Sequence, residues 1–94
     1  MPRWDARTDA NQAEIVEALR AAGAVVLILS RVGQGCADLA VGKNGKVWFM
    51  EVKTEKGTLT PAEKEFQDMW QDNYVIVRTI DKALKAIGAT DESR

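Results

Sequence analysis

Apolar and polar positions in the first third of the chain follow a helical pattern and then a strand pattern. Between a suitable N-cap at Thr8 or Asp9 and a suitable stop at Gly23, apolar residues lie three and four positions apart, which predicts a helix with one buried face. Residues 24–29 form a short β-branched run between a glycine and a serine, and this pattern predicts a strand. The polar, glycine-containing residues 30–35 then predict a loop.

A hairpin follows this loop. Residues 36–41 and 46–53 are mostly apolar, and the Asn44-Gly45 pair between them is a strong signal for a tight two-residue turn. The sequence therefore predicts two adjacent antiparallel strands.

Charged side chains enter the second of these strands only at its end. Because side chains alternate along a strand, Glu51 and Lys53 point to one face, while the apolar side chains around them point to the other. Asp38, at the start of the partner strand, reaches the same end of the hairpin. Burying these charges is unfavourable unless something compensates them, and a divalent cation would do so. A solvent-exposed ion pair of Glu51 and Lys53 is the alternative interpretation.

The second half of the chain predicts a helix, a strand and a short helix. Thr60 and Glu63 have the spacing of a capping box, with proline at the first helical position between them. This helix is expected to have one apolar face, which carries Met69, and to end near residue 73. Phe66 and Trp70 are expected in the core. The remaining predicted elements are a strand at residues 74–78 and a short helix at residues 80–87.

The predicted architecture is of the α/β class. The order is helix, strand, strand, strand, helix, strand, helix (αβββαβα), which predicts a mixed sheet of about four strands flanked by helices. A helical crossover joins the third strand to the fourth, so these two are expected to be parallel neighbours with a right-handed connection. We interpret residues 1–94 as a single domain, with polar tails at residues 1–7 and 89–94.

The amino-acid composition limits the catalytic mechanisms that the chain can use. The chain has no histidine, which excludes Ser-His-Asp and Cys-His nucleophile systems and histidine-ligated zinc. Hydrolytic chemistry must then depend on carboxylates, lysine and a hard metal ion. A single cysteine allows no internal disulfide and fits a reducing cytosol. The net charge of −1 argues against non-specific coating of nucleic acid, and no apolar run has the length of a membrane span or the form of a signal peptide.

Three sequence segments with defined spacing resemble one nuclease family. They lie at 35–39 (Gly-x-x-Asp-Leu), at 51–53 (Glu-Val-Lys) and at 57–61 (Gly-Thr-Leu-Thr-Pro), and residues 75–84 add a further match. Together they resemble the VRR-NUC branch of the PD-(D/E)XK nucleases over roughly residues 9 to 88. The resemblance implies a restriction-endonuclease-like core.

The resemblance also implies roles for individual residues. Asp38 and Glu51 would bind Mg²⁺ or Mn²⁺ together with the backbone carbonyl of Val52, and Lys53 would orient the attacking water and the scissile phosphate. These assignments agree with the preference of magnesium for carboxylate oxygens and with the effect of a bound metal on the pKa of its water.

The first helix of relatives adds a polar or acidic residue to the metal site. Gln12, Glu14 and Asp9 are candidates here, and Gln12 and Glu14 together are favoured, although Glu14 also fits a solvated helix face. The chain departs from the family pattern at two positions. Ala37 replaces the proline before Asp38, and Glu63 stands where the family often has glutamine.

The expected function is that of a metal-dependent DNA endonuclease. The small size and the resemblance imply a homodimer of phage or bacterial type, acting in the cytoplasm on branched DNA such as Holliday junctions or flaps. No membrane and no organic cofactor are expected. The alternative is a catalytically silent or partner-dependent nucleic-acid-binding subunit of a replication or repair complex, marked by an exposed apolar patch around Trp4 or the last helix. The candidate nucleic-acid contacts are Arg31, Gln34, Lys43, Lys46 and Lys56.

Overall fold

This computed structural model describes the backbone of residues 6–89 and the side chains of residues 10–89. In this part of the chain, a four-stranded sheet with helices on both faces forms the fold. The elements are α1 (Ala6–Ala21), β1 (Val25–Ile28), β2 (Leu39–Lys43), β3 (Lys46–Val52), α2 (Pro61–Trp70), a 3₁₀ turn (Gln71–Asn73), β4 (Tyr74–Val77) and α3 (Ile80–Ala86). This order and class agree with the prediction from the sequence.

The sheet has the strand order β1-β2-β3-β4. The pairs β1/β2 and β2/β3 are antiparallel, whereas β3/β4 is parallel, so the predicted parallel pairing of the third and fourth strands is confirmed. Asn44 and Gly45 join β2 to β3 with φ angles of 54° and 83°. Two positive φ angles in a two-residue turn are the type I′ geometry that matches the twist of a hairpin.

The two faces of the sheet differ in character. One face packs against α1 and α3 and holds the largest fully buried side chains, Ile15, Leu19, Leu39, Val41, Met50 and Val77. The other face packs against α2 through a cluster of aromatic rings, Phe49, Phe66, Trp70 and Tyr74. Successive residues of β3 alternate between these faces, so Met50 faces the apolar core while Glu51 faces α2.

The predicted start of α2 and the predicted end of α1 agree with the structure. Thr60 accepts a hydrogen bond from the Glu63 N–H, and the Glu63 carboxylate accepts one from the Thr60 N–H, which completes the predicted capping box. Gly23, with φ of 95°, follows α1, and the Ala24 N–H donates to the Leu19 carbonyl as in a Schellman motif.

Two predictions about the helices were wrong. Helix α1 begins at Ala6, so Thr8 and Asp9 lie inside it and the predicted tail overlaps its first residues. Alanine and arginine favour helix, which lets the helix extend further than the capping signal suggested. Helix α2 has no buried residue, and Met69 and Trp70 are 81% and 44% exposed. The aromatic contacts of this helix are with β3 and β4, and its final turn projects beyond the packed surface. The remaining parts of the predicted tails, residues 1–5 and 90–94, lie outside the described residues.

Candidate functional site

Strand register brings Asp38 and Glu51 together. Leu39 pairs with Met50, so the preceding Asp38 lies opposite Glu51, and both side chains point toward α2 because Leu39 and Met50 point into the core. The Val52 N–H donates to Asp38 Oδ2 at 2.8 Å. The Asp38 side chain, and not its backbone, thus accepts the hydrogen bond from the last residue of β3. The two carboxylates meet where the hairpin ends.

Lys53 completes the cluster from the next position on the same face. Its Nζ lies 3.6 Å from Glu51 Oε2 and 3.0 Å from Glu63 Oε1. The capping box fixes Glu63 in the first turn of α2, so the same carboxylate that caps the helix also holds the ammonium group. Lys53 is therefore positioned between β3 and the start of α2.

Burial makes the carboxylates hard to ionise. Glu51 is only 3% exposed, and desolvation, together with the negative charges of Asp38 and Glu63, raises its pKa to about 8. Desolvation also raises the pKa of Asp38, although the hydrogen bond from Val52 offsets part of this effect. A proton at neutral pH is thus held where two carboxylates share one buried site.

The surroundings of Lys53 and Glu63 favour the charged forms of both side chains. Burial alone would lower the pKa of Lys53, but the hydrogen bond to Glu63 and the nearby carboxylate charges outweigh burial, so the Lys53 pKa is raised. Burial opposes the ionisation of Glu63, yet hydrogen bonds from the Thr60 N–H and from Lys53 lower its pKa. Lys53 is therefore charged at neutral pH.

The donor set fits a hard divalent cation. Among side chains of residues 10–89, Glu51 Oε1 is a buried oxygen with no hydrogen-bond partner, and buried polar atoms normally have one. A strand residue directs its N–H and C=O toward the same neighbour, so the Val52 carbonyl faces the side of Asp38. Two carboxylates and a carbonyl are oxygen ligands of the type that Mg²⁺ and Mn²⁺ take.

Among the side chains of residues 10–89, the first helix supplies no further acid to this pair, and the side chain of Asp9 lies outside the described residues. In residues 10–89, no three His, Cys, Asp or Glu side chains form a group that could hold a metal ion. Glu14 is exposed and lines a cavity of about 550 Å³ with Thr54 and Arg78. The Gln12 amide instead donates to the hydroxyl of Ser30 at 3.0 Å.

The predicted nucleic-acid contacts lie in three separate places. Arg31 and Gln34 are exposed in the β1–β2 loop, where Gln34 has a positive φ of 60°. Lys43 and Lys46 flank the hairpin turn, on a cavity of about 360 Å³ that Trp48 and Lys85 also line. Lys56 is exposed two residues beyond Thr54. The structure does not bring these side chains together.

Sequence reasoning missed two residues that shape the site. A Cβ on Gly35 (φ 81°) would lie 2.4 Å from the Ala62 carbonyl oxygen, so the β1–β2 loop contacts the first turn of α2 directly. Arg78 donates to backbone carbonyls of residues 54–57. A glycine three residues before Asp38 and an arginine after a buried strand were visible signals, but neither indicated its partner.

Comparison with known proteins agrees with the fold. A solved structure described as a VRR_NUC domain matches with a TM-score of 0.71 and 28% sequence identity, and the match covers 85% of this chain and 92% of that one. A scan of protein-family models and a search of curated proteins give no match. The four-stranded mixed sheet and this match define a restriction-endonuclease-like domain of the nuclease class. Within that class, the match supports a VRR-NUC domain protein.

Among the described residues, none of the helices is long and apolar enough to cross a membrane.

Proposed function

We propose that the protein is a divalent-metal-dependent endonuclease that hydrolyses phosphodiester bonds in DNA. The observation that carries this proposal is the buried pair of Asp38 and Glu51, which leaves Glu51 Oε1 without a hydrogen-bond partner in the described part of the chain, beside the charged Lys53. Such a pair is unfavourable by itself and becomes favourable when a cation joins it. The match to a VRR_NUC domain supports the same class of activity.

Asp38, Glu51 and the Val52 carbonyl would hold Mg²⁺ or Mn²⁺. When bound, such a cation lowers the pKa of a coordinated water and stabilises negative charge on phosphate oxygens. The protein contributes the position of the ligands, because the β2/β3 register sets the two carboxylates opposite each other and the Val52 N–H fixes Asp38. The positive charge of the cation would then offset the negative charge of the carboxylates, so that the site could accept a phosphate group.

Lys53 contributes a fixed positive charge. Its ammonium group is held by Glu63 at 3.0 Å and by Glu51 at 3.6 Å, so it enters the reaction without reorganisation. In this position a lysine donates hydrogen bonds to the attacking water and to a phosphate oxygen as charge develops there. Glu63 keeps the ammonium group in place.

We further propose that the active form is a homodimer that prefers branched DNA, junctions or flaps, in the cytoplasm. An uncovered apolar surface supports a dimer: Val25 and Leu27 of β1 and Val47 of β3 are exposed on the sheet face that carries Glu51, where α2 does not reach. Exposed apolar patches of this kind mark association surfaces. A symmetric dimer would provide two sites for paired cuts.

Cleavage assays test this function. Labelled four-way junction, flap, single-stranded and linear duplex DNA are incubated with Mg²⁺ or Mn²⁺ and wild-type protein, Asp38→Asn or Lys53→Met. We expect metal-dependent cutting by the wild type, loss of it in both variants, and unchanged activity in the matched surface variant Lys64→Gln. Cutting that persists in both site variants would contradict the assignment.

Sedimentation and light scattering test the dimer. We expect a dimer for the wild type and a monomer for Leu27→Asp, with Lys82→Asp as a control for an added charge elsewhere. A wild-type monomer at micromolar concentration would contradict the dimer. Junction binding without any cutting would favour the silent or partner-dependent subunit instead.

A further inference from the structure

We propose that Arg78 is a positioning residue for Lys53, acting through the turn at residues 54–57; the inference rests on the proposed nuclease function. Arg78 directly follows β4, and Lys53 directly follows β3. These strands are parallel neighbours, and the Lys53 N–H donates to the Val77 carbonyl at 3.1 Å. The two side chains therefore leave the sheet at the same end.

The Arg78 guanidinium group binds the turn that follows Lys53. Its Nη1 donates to the Thr54 carbonyl, to the Gly57 carbonyl at 2.9 Å and, at 3.4 Å, to the Glu55 carbonyl. The turn is also closed by the Gly57 N–H, which donates to the Thr54 carbonyl at 3.1 Å. Several carbonyls on one charged donor hold this segment more rigidly than one backbone hydrogen bond would.

The same turn lies against the aliphatic stem of Lys53. A Cβ built on Gly57 would be 3.3 Å from Lys53 Cδ and 3.4 Å from Lys53 Cβ. The stem is thus confined by Gly57 on one side, while Glu63 and Glu51 hold the ammonium group. A shift of the turn would change the direction in which the Lys53 ammonium group points.

Arg78 is itself anchored to the first helix. The Asn11 amide donates to the Arg78 carbonyl at 3.2 Å, and Asn11, Thr54 and Arg78 line the same cavity of about 550 Å³. The arrangement is a continuous set of contacts from α1 through Arg78 and the turn to Lys53. Lysine could not replace this function, because its side chain is one bond shorter and its ammonium group does not reach the position of the Arg78 Nη1.

The test combines kinetics with NMR. Arg78→Lys, Arg78→Met and Gly57→Ala are compared with wild type and with Thr58→Ala, an exposed neighbour outside the turn. We expect kcat to fall about tenfold to a hundredfold in all three variants, as for a small misplacement of a catalytic group. KM and Mn²⁺ affinity should stay near wild-type values, because Asp38 and Glu51 are untouched. Gly57→Ala reaches Lys53 without altering Arg78, so it separates positioning from any general effect of losing the arginine.

NMR gives a readout that does not depend on activity. In Arg78→Lys and Arg78→Met we expect the Gly57 amide to exchange about tenfold faster, as for the loss of one charge-assisted hydrogen bond, and the Lys53 ε-methylene resonance to shift. Unchanged Gly57 exchange and an unchanged Lys53 resonance would overturn the proposal, as would a loss confined to KM. If the wild type cuts no DNA, the proposed function fails, and the NMR result still decides whether Arg78 positions Lys53.

Discussion

Replacing Glu51 with glutamine should make the metal-free protein more stable while removing its proposed activity. Glutamine keeps the shape of the side chain and removes the buried charge. Because the Glu51 pKa is raised from 4.5 to about 8, the folded protein binds a proton that the unfolded chain has released between these pH values. Stability from this group is therefore fully present below about pH 4.5 and is lost as the pH rises through about 8.

The size of the effect follows from the pKa interval. One proton corresponds to about 1.4 kcal/mol of unfolding free energy per pH unit. Between pH 5 and pH 8 the wild type should thus lose up to about 4 kcal/mol, and the raised pKa of Asp38 acts in the same direction. Glu51→Gln should lose much less, so its advantage grows with pH and is on the order of 3 kcal/mol near pH 8.

Urea unfolding followed by tryptophan fluorescence measures this difference. Wild type, Glu51→Gln and the exposed control Glu65→Gln are unfolded at pH 5 and pH 8 in EDTA and again in excess Mg²⁺. Mg²⁺ should stabilise the wild type at pH 8 and should have little effect on Glu51→Gln. A variant less stable than wild type at pH 8 in EDTA would refute the reasoning, because it would mean that the folded protein compensates the Glu51 charge without a cation.

Three further predictions concern the fold around the site. Gly35→Ala should lower the unfolding free energy by about 2 kcal/mol or more, because a Cβ would collide with the Ala62 backbone. Gly33 has a similar φ but an open environment, so Gly33→Ala should lower the unfolding free energy by about 1 kcal/mol. Thermal unfolding of both variants checks this, and equal losses would contradict it. Thr60→Ala should cost about 1 kcal/mol by removing the cap of α2, while Thr60→Ser should restore most of it. Met50→Ala should cost about 2 to 5 kcal/mol in urea unfolding, because Met50 is fully buried, and a loss under 1 kcal/mol would place Met50 outside the core.

Features with strong local signals were predictable from the sequence. The Asn44-Gly45 turn, the Thr60–Glu63 capping box and the Gly23 stop each depend on a few neighbouring residues, and all three agree with the structure. The parallel pairing of β3 with β4 followed from the length of the helical crossover. Alternation along β3 likewise placed Glu51 on the face opposite Met50.

Features that depend on distant contacts were not predictable in the same way. Periodicity placed Met69 on the apolar face of α2, but it could not show that the last turn of this helix is left exposed. The contact of Gly35 with Ala62 and the hydrogen bonds of Arg78 join residues more than twenty positions apart. The roles of Gln12 and Glu14 stayed ambiguous because several positions on a helix are compatible with one site.

Calorimetric titration of Mg²⁺ at pH 7, in two buffers with different ionisation enthalpies, tests the central claim most directly. A metal site built on Asp38 and on Glu51, whose pKa is raised to about 8, should release about one proton for each cation bound. Asp38→Asn should abolish binding, and Glu65→Gln should leave both affinity and proton release unchanged. Absence of Mg²⁺ and Mn²⁺ binding by the wild type, or binding without proton release, would contradict the account.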